Sequence, residues 1–508
     1  MTCCLAVGRV ALGLVVITFF HSFQQDHVAA KAHHTARSTA IAAYQAINEP
    51  PQPRRSTPLV LEHITLIVGN GSPAIRDATL VIREGRIAQI AASNSLKAPP
   101  GSQRVDATGK FAIPGLWDMH VHLFNNFTQD GSDNHAYFFP LFVANGIVGV
   151  RDMSSDPDDI VAAHRWNAET ASGRLIGPHV MVSSRVVDGN PPNGPNSLVV
   201  HNELEARDAV RVLKKSGAGF IKVYWFLSRD AYFGIADEAK KQKIEFSGHV
   251  PVFVSAGEAS DAGQRTIEHN DGILPACSGK ADEWSIRGRN SPTPGRGAEM
   301  LQAYDDDRCE TLGRRLAKNG TWLVPTAVNF DDSPDVELDS RRRYVLPTEL
   351  ERWTSAMKAR QTARESPAPT AALRRDRARQ MMHAMRRASV RFMAGTDLSS
   401  RDRDGFRRPF HIPGVGLHDE LALFVNNGFT PTEALQTATS NPAEYAGQSQ
   451  EFGTLEVGKR ADIVLLDANP LEDIQNTRKI YAVVLRGRLL SRSELDEMVD
   501  RAVGRGAP

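Results

Sequence analysis

Between Leu59 and Ile113 apolar and polar positions alternate in short runs, LVLEHITLIV, ATLVIREGRIAQIA and FAIPG, with Gly85 inside the second. A period of two marks half-buried strands, and Gly85 between two such stretches predicts a hairpin turn. The pattern returns at Thr454–Val457 before Gly458, at Ala461–Leu466 (ADIVLL) and at Ile480–Leu485 (IYAVVL). Two β-rich pieces, 58–114 and 448–495, thus flank one long middle and predict a single β-sandwich assembled from both.

In the middle, 115–447, apolar runs of strand length alternate with helical patterns, the signature of a parallel α/β domain. Eight strands are expected: Gly115–Val121, Gly146–Asp152, His179–Ser183, Gly219–Tyr224, Ile244–Val250, Arg265–Asn270, Thr321–Thr326 and Arg391–Asp397. Eight is the number of a (β/α)8 TIM barrel. Between the third and fourth, Asn202 as a cap, Leu204, Ala209, Val210 and Leu213 on one face, and Gly217 as a stop predict a helix. The gaps 271–320 and 327–390 are too long for plain connections and must hold insertions.

The chain has 508 residues, a formal net charge of +1, 23% charged and 41% hydrophobic residues. That balance is globular and offers no basic field for nucleic acid, so the expected partner is a small molecule. Homo-oligomerisation is left open. Arg9, the uncharged run Val10–Phe20 and Val28-Ala29-Ala30 read as a secretory leader over 1–30, followed by a linker rich in Ala, Ser, Thr and Pro over 31–57. Eleven apolar residues fall short of the ~20 that span a bilayer. The expected location is secreted or periplasmic, with no membrane association unless the leader stays uncleaved. A tail is expected over 496–508. Beyond the leader only Cys277 and Cys309 remain; a disulfide and two free thiols are both open.

Ligand-type residues recur where the expected strands end. His120 and His122 in FAIPGLWDMHVHL lie at i and i+2, on one face of a strand about 7 Å apart, with Asp118 on the same face. Lys222 follows in FIKVYW, His249 in FSGHVP, His269 in TIEHN and Asp397 in FMAGTD. Each has a structural alternative: a packed lysine stem, a hydrogen-bonded core histidine, a turn. Six such residues at five strand ends, in barrel order, argue together for a metal centre at the carboxyl face.

At these residues the chain resembles the amidohydrolase superfamily, and within it the imidazolonepropionase-like and prolyl-dipeptide hydrolase (prolidase-like) branch. The resemblance is carried by PGLWDMHVHL, GVRDM, FIKVY, GHVP with EASDAGQRTIEH, AGTD, ATSNPAEYAG and FGTLEVGKRADIVLLDANPL, and covers 58–490. It implies a distorted (β/α)8 barrel beside a composite β-sandwich, and two divalent metal ions, most often zinc. Carried over, His120, His122 and Asp397 resemble ligands of the more buried metal, and His249 and His269 those of the more exposed one. Lys222 resembles the lysine that becomes a bridging carbamate.

The implied chemistry is attack by metal-activated hydroxide on an amide-type C–N bond of a small peptide, N-acyl amino acid or cyclic amide, with Asp397 moving the proton. A lactonase or ester hydrolase on the same site is the alternative, and a scaffold without catalysis a third. Tyr224 resembles a residue that contacts a substrate carboxylate, with packing as its alternative. His418 in PGVGLHDEL is read as lining the pocket or capping a helix, and the arginines at 401, 403, 407 and 408 as drawing in a carboxylate or as a solvated charge run. His179 in IGPHV stands where relatives more often carry arginine, which weakens any substrate carried over from one relative.

Overall fold

The alternating run from Leu59 forms β1 (Leu59–Leu66), β2 (Ile75–Arg83) and β3 (Arg86–Ala92), followed by β4 (Gln103–Asp106) and β5 (Phe111–Pro114). Glu84 and Gly85, both at positive φ (51° and 75°), make the tight turn between β2 and β3, the geometry whose twist matches the flanking strands. This is a computed structural model that describes residues 57–124, 135–194, 196–280, 296–329, 338–365, 369–399 and 412–505. The expected leader, the linker up to residue 56 and the arginine loop lie outside the described residues.

The middle strands are β6 (Leu116–His122), β7 (Ile147–Asp152), β8 (His179–Val182), β9 (Val186–Asp188), β10 (Leu198–Val199), β11 (Phe220–Val223), β12 (Glu245–Gly248), β13 (Thr266–Glu268), β14 (Trp322–Val324), β15 (Arg391–Phe392) and β16 (Leu398–Ser399). All eight expected strands are present. The short β9, β10 and β16 were not expected, because two or three residues display no period. The pairs are parallel and form two sheets, β16-β6-β7-β8 and β10-β9-β11-β12-β13-β14-β15. Backbone hydrogen bonds outside these ladders bridge both gaps. Ser184 N–H donates to Phe220 O (2.8 Å) and Gly219 N–H to Val182 O (3.1 Å) on one side; Met119 N–H donates to Ala394 O (2.9 Å) and Asp397 N–H to His120 O (2.8 Å) on the other.

Helices pack outside the strands over one large apolar core that includes Leu116, Val150, Ile221, Ile267 and Leu323. The helix Glu203–Lys215 begins as expected, the Asn202 side chain accepting from Glu205 N–H. Ala206, Ala209, Val210 and Leu213 are its buried face. Leu204, expected on that face, is 68% exposed, because the stripe runs through Ala206 instead. The long gaps hold helices at Arg296–Gln302 and Asp306–Asn319, and at Leu350–Glu365 and Pro369–Arg387. Cys277 and Cys309, both fully buried, are disulfide-bonded and join the segment after β13 to the helix Asp306–Asn319.

The closing strands β17 (Ile463–Leu466), β18 (Ile480–Leu485) and β19 (Arg488–Ser491) join the opening ones in one eight-stranded sheet, ordered β19-β18-β17-β5-β1-β2-β3 with β4 on β1. Its seam is the antiparallel pair β5–β17, where Ile113 faces Val464. The two β-rich pieces of the sequence are therefore one sheet, with its own apolar core built from Leu61, Leu80, Ile463 and Val484 among others. The tail expected from 496 begins inside a helix, Arg492–Ala502, which buries Leu495, Met498 and Val499. Among the described residues no helix is long and apolar enough to cross a membrane.

Candidate metal centre

Strand alternation puts Asp118, His120 and His122 on one face of β6. Asp118 is buried and accepts from Thr396 Oγ1 (2.7 Å), Thr396 N–H (3.0 Å) and His120 N–H (3.3 Å), so it anchors the turn that carries Asp397. Burial pushes its pKa up to about 7 against these donors. His120 Nε2 lies 3.4 Å and His122 Nε2 3.2 Å from Asp397 Oδ1. One ligand-type atom from each of His120, His269 and Asp397 lies within 4.8 Å of the others. The His269 ring stands 4.7 Å from the rings of both His120 and His249.

Lys222, at the third position of β11, is fully buried, and its Nζ has no hydrogen-bond partner among the described residues. Burial lowers its pKa to about 8, with Glu268 and Asp397 opposing the shift. Burial likewise pushes His120 and His249 well below the ordinary histidine value, so both rings are neutral. For Asp397 burial acts upward, and the His122 contact with the rings of His269 and His120 outweighs it, holding the carboxyl well below the usual range.

Two glycines make room for these groups. A Cβ on Gly395 would stand 2.7 Å from Val324 Cγ1 and 2.8 Å from His120 Cβ; one on Gly248, at φ +138°, would stand 2.2 Å from Val223 O. Four residues with side chains adopt left-handed backbone around the site: His269 (φ 60°), Asn270 (54°), Thr326 (48°) and Asp397 (52°). Such conformations cost on the order of 1–3 kcal/mol each and cluster at functional sites.

The ligand-type groups are backed by residues that the sequence reading passed over. Glu268 accepts from His120 Nδ1 at 2.7 Å and from Arg151 Nη2 at 2.9 and 3.0 Å. Arg151 also reaches Met119 O (2.6 Å) and Tyr445 Oη (3.2 Å). Burial acts upward on Glu268, yet Arg151 and His120 keep it an anion well below the usual range. His269 Nδ1 is 2.7 Å from Thr326 Oγ1, and Asn329 Nδ2 donates to Asp397 Oδ2 at 3.0 Å. Glu268 and Arg151 lie in the motifs TIEHN and GVRDM, but only the fold shows that they meet.

Tyr224 stands at the site: its ring is 4.2 Å from that of His249, and its hydroxyl accepts from Asn193 Nδ2 at 3.4 Å. Burial pushes its phenol up to about 12. The pocket-lining role expected for His418 is corrected. It is 1% exposed in the helix Val415–Asn426, with Nδ1 3.0 Å from Thr477 Oγ1 and Nε2 3.1 Å from Asn145 O, so both ring nitrogens are engaged by the protein itself. Asn145 precedes β7, at the end opposite the histidine cluster. His179 opens β8 at that same end and tilts against Trp117 at 5.9 Å, so its departure from relatives does not touch the site.

Buried polar atoms without partners are costly and call for an explanation. Among the described residues three such atoms, His120 Nε2, His249 Nδ1 and Lys222 Nζ, come from β6, β11 and the residue after β12, beside Asp397 and His269. Neutral imidazoles with a carboxylate are a donor set that suits zinc and similar divalent cations.

A parallel α/β domain thus gathers at its strand ends a group of side chains that could hold a metal ion. The amidohydrolase family model matches residues 111–490, so the chain belongs to that family and is a hydrolase of carbon–nitrogen bonds. Ochratoxinase of Aspergillus niger is 24% identical over 481 residues, covering 82% of this chain and 83% of that protein. Imidazolonepropionase of Cupriavidus necator is 24% identical, covering 77% of this chain and 85% of that protein. Among solved structures, a Xaa-Pro dipeptidase with bound methionine superposes with a TM-score of 0.59 at 18% identity, over 86% of this chain and all of that one.

Proposed function

We propose that this chain is a binuclear metal-dependent amidohydrolase that cleaves an amide C–N bond of a small peptide-like substrate. The observation that carries this reading is the convergence of the orphaned His120 Nε2, His249 Nδ1 and Lys222 Nζ beside Asp397. His120, His122 and Asp397 would hold one cation, His249 and His269 the second, and Lys222 would bridge them. An amine whose pKa burial lowers to about 8 has a free-base fraction at neutral pH that can add carbon dioxide and lose a proton. A bound pair of divalent cations would polarise the substrate carbonyl and acidify a water.

Asp397, oriented by the Asn329 amide, takes the proton of the attacking water and delivers it to the leaving nitrogen as the C–N bond breaks and the new C–O bond forms. Tyr224 contacts the substrate beside His249. In this reading the two parallel sheets are one distorted (β/α)8 barrel, for which the hydrogen bonds across both gaps provide support. The N-terminal leader pattern and the Cys277–Cys309 disulfide support an oxidising, extracytoplasmic compartment.

The test is metal analysis of gently purified protein together with a panel of dipeptides, N-acyl amino acids, cyclic amides and lactones. The reading expects about two divalent ions per chain, hydrolysis of an amide, loss on chelation and recovery on adding zinc. Metal-free protein, or turnover confined to lactones, overturns it.

A further inference from the structure

The strand β14, Trp322–Val324, brings no ligand-type side chain of its own to the candidate centre, yet the turn that follows it touches two of the candidate ligands. Thr326, at φ 48°, sets its Oγ1 2.7 Å from His269 Nδ1, and Asn329 Nδ2 donates to Asp397 Oδ2 at 3.0 Å. Asn329 N–H closes the turn on Thr326 O at 3.0 Å. Asp397 Oδ1 faces the Nε2 atoms of His120 and His122, so the Asn329 amide on Oδ2 fixes the rotation of the carboxyl group.

The main-chain amides inside this turn are held by Glu420. Ala327 N–H donates to its Oε1 at 3.0 Å and Val328 N–H to its Oε2 at 2.8 Å. Glu420 lies in the helix Val415–Asn426, where three successive polar residues, His418, Asp419 and Glu420, are all buried. Neighbouring residues on a helix point about 100° apart, so the three serve different places. His418 meets Thr477 and Asn145, and Asp419 pairs with Arg341 and Arg478 at 2.7 and 2.6 Å. Glu420 reaches the turn beside the candidate centre. A buried carboxylate is costly unless it is hydrogen-bonded, and here its two oxygens grip two adjacent amides, which leaves the turn one position.

We propose that Glu420 is a positioning residue for the hydrolysis: it presets the turn 326–329, and through it the Asn329 side chain that orients Asp397. Its effect on the reaction passes through Asn329. The inference rests on the amide-hydrolase reading, in which Asp397 moves the proton, and adds the residue that keeps Asp397 in place.

The experiment measures kcat, KM and zinc affinity for wild type, Glu420→Gln, Asn329→Ala and the double variant, the kinetics on metal-replete protein, with stability followed by urea denaturation. Gln keeps the length of Glu but offers one acceptor oxygen to two N–H groups. Each single variant should lower kcat and zinc affinity by about 10- to 100-fold, the usual worth of a residue that orients a metal ligand, with KM little changed. The double variant should be no worse than the poorer single one, because both changes remove the same contact. Crystal structures of the metal-free proteins should show the Asn329–Asp397 contact opened beyond about 3.5 Å in Glu420→Gln. Where Glu420→Gln does not fold, Glu420→Asp, which keeps the charge but is one methylene shorter, takes its place. A wild-type kcat at lowered stability, losses that multiply in the double variant, or an Asn329–Asp397 contact of unchanged length overturns the proposal. If wild type cleaves no amide, the hydrolase reading fails, and the crystal structures still decide whether Glu420 holds Asn329 on Asp397: an unmoved Asn329 overturns it.

Discussion

His120 Nδ1 and Glu268 Oε2 are 2.7 Å apart, and neither side chain has any solvent exposure. The pair fixes which imidazole nitrogen faces the centre, and Arg151 neutralises the carboxylate from behind. Replacing Glu268 by Gln leaves the Arg151 guanidinium buried without its anion. We expect a stability loss of about 3–5 kcal/mol and a roughly 10- to 100-fold weaker metal affinity. Urea denaturation and metal titration read the two effects separately; a variant that matches wild type in both would show the contact to be incidental.

The bridging role of Lys222 has its own signature. Lys222→Ala should lose most of its metal and activity, with partial recovery when short carboxylates are added to stand in for the carbamate. A fully metallated and active Lys222→Ala protein would remove the bridge from the scheme.

Gly395→Ala should displace His120 without altering any ligand-type group, because the new Cβ meets Val324 and His120 at 2.7 and 2.8 Å. Overpacking of this kind costs roughly 1–3 kcal/mol. Metal binding should weaken along with stability; unchanged metal affinity would mean that the backbone yields elsewhere.

Much of this was readable in the sequence, and the reason is physical. His122 ends β6, Lys222 lies within β11, His249 and His269 directly follow β12 and β13, and Asp397 follows the apolar run after β15, so apolar run and ligand-type side chain are both local. Glu268, Arg151 and Tyr445 come from three distant segments, and no local period links them. His418 misled for a related reason. Its helix is buried at Val415 through Phe424, so no polar stripe tells an inward from an outward histidine.

His418 also gives a dependence on pH. Burial, with Arg478 nearby, lowers its pKa to about 3 from an ordinary 6.5. In the window between those values the unfolded chain binds the extra proton, so this contribution to stability is complete above pH 6.5 and is lost as pH falls towards 3. In His418→Gln the fall in stability across that window should be shallower than in wild type by about 1.4 kcal/mol per pH unit. Parallel slopes by denaturation at several pH values would contradict this; His179, displaced in the same direction, is common to both proteins.

The Cys277–Cys309 disulfide spans a sequence separation of 32 residues. On the chain-entropy account its removal in Cys277→Ser/Cys309→Ser should cost roughly 3–4 kcal/mol, and reductant should destabilise wild type but not the double variant. Equal sensitivity of both to reductant would assign the effect to something other than this bond.

The pairing of Ile113 with Val464 also governs the order in which the molecule can be finished. During synthesis β5 emerges early and presents one unpaired edge, an invitation to foreign strands, until nearly the whole chain has followed. The sheet that opens the sequence is thus the last part to be completed. A nascent molecule stalled before β17 holds every histidine of the candidate metal centre yet lacks the strands that close its first sheet.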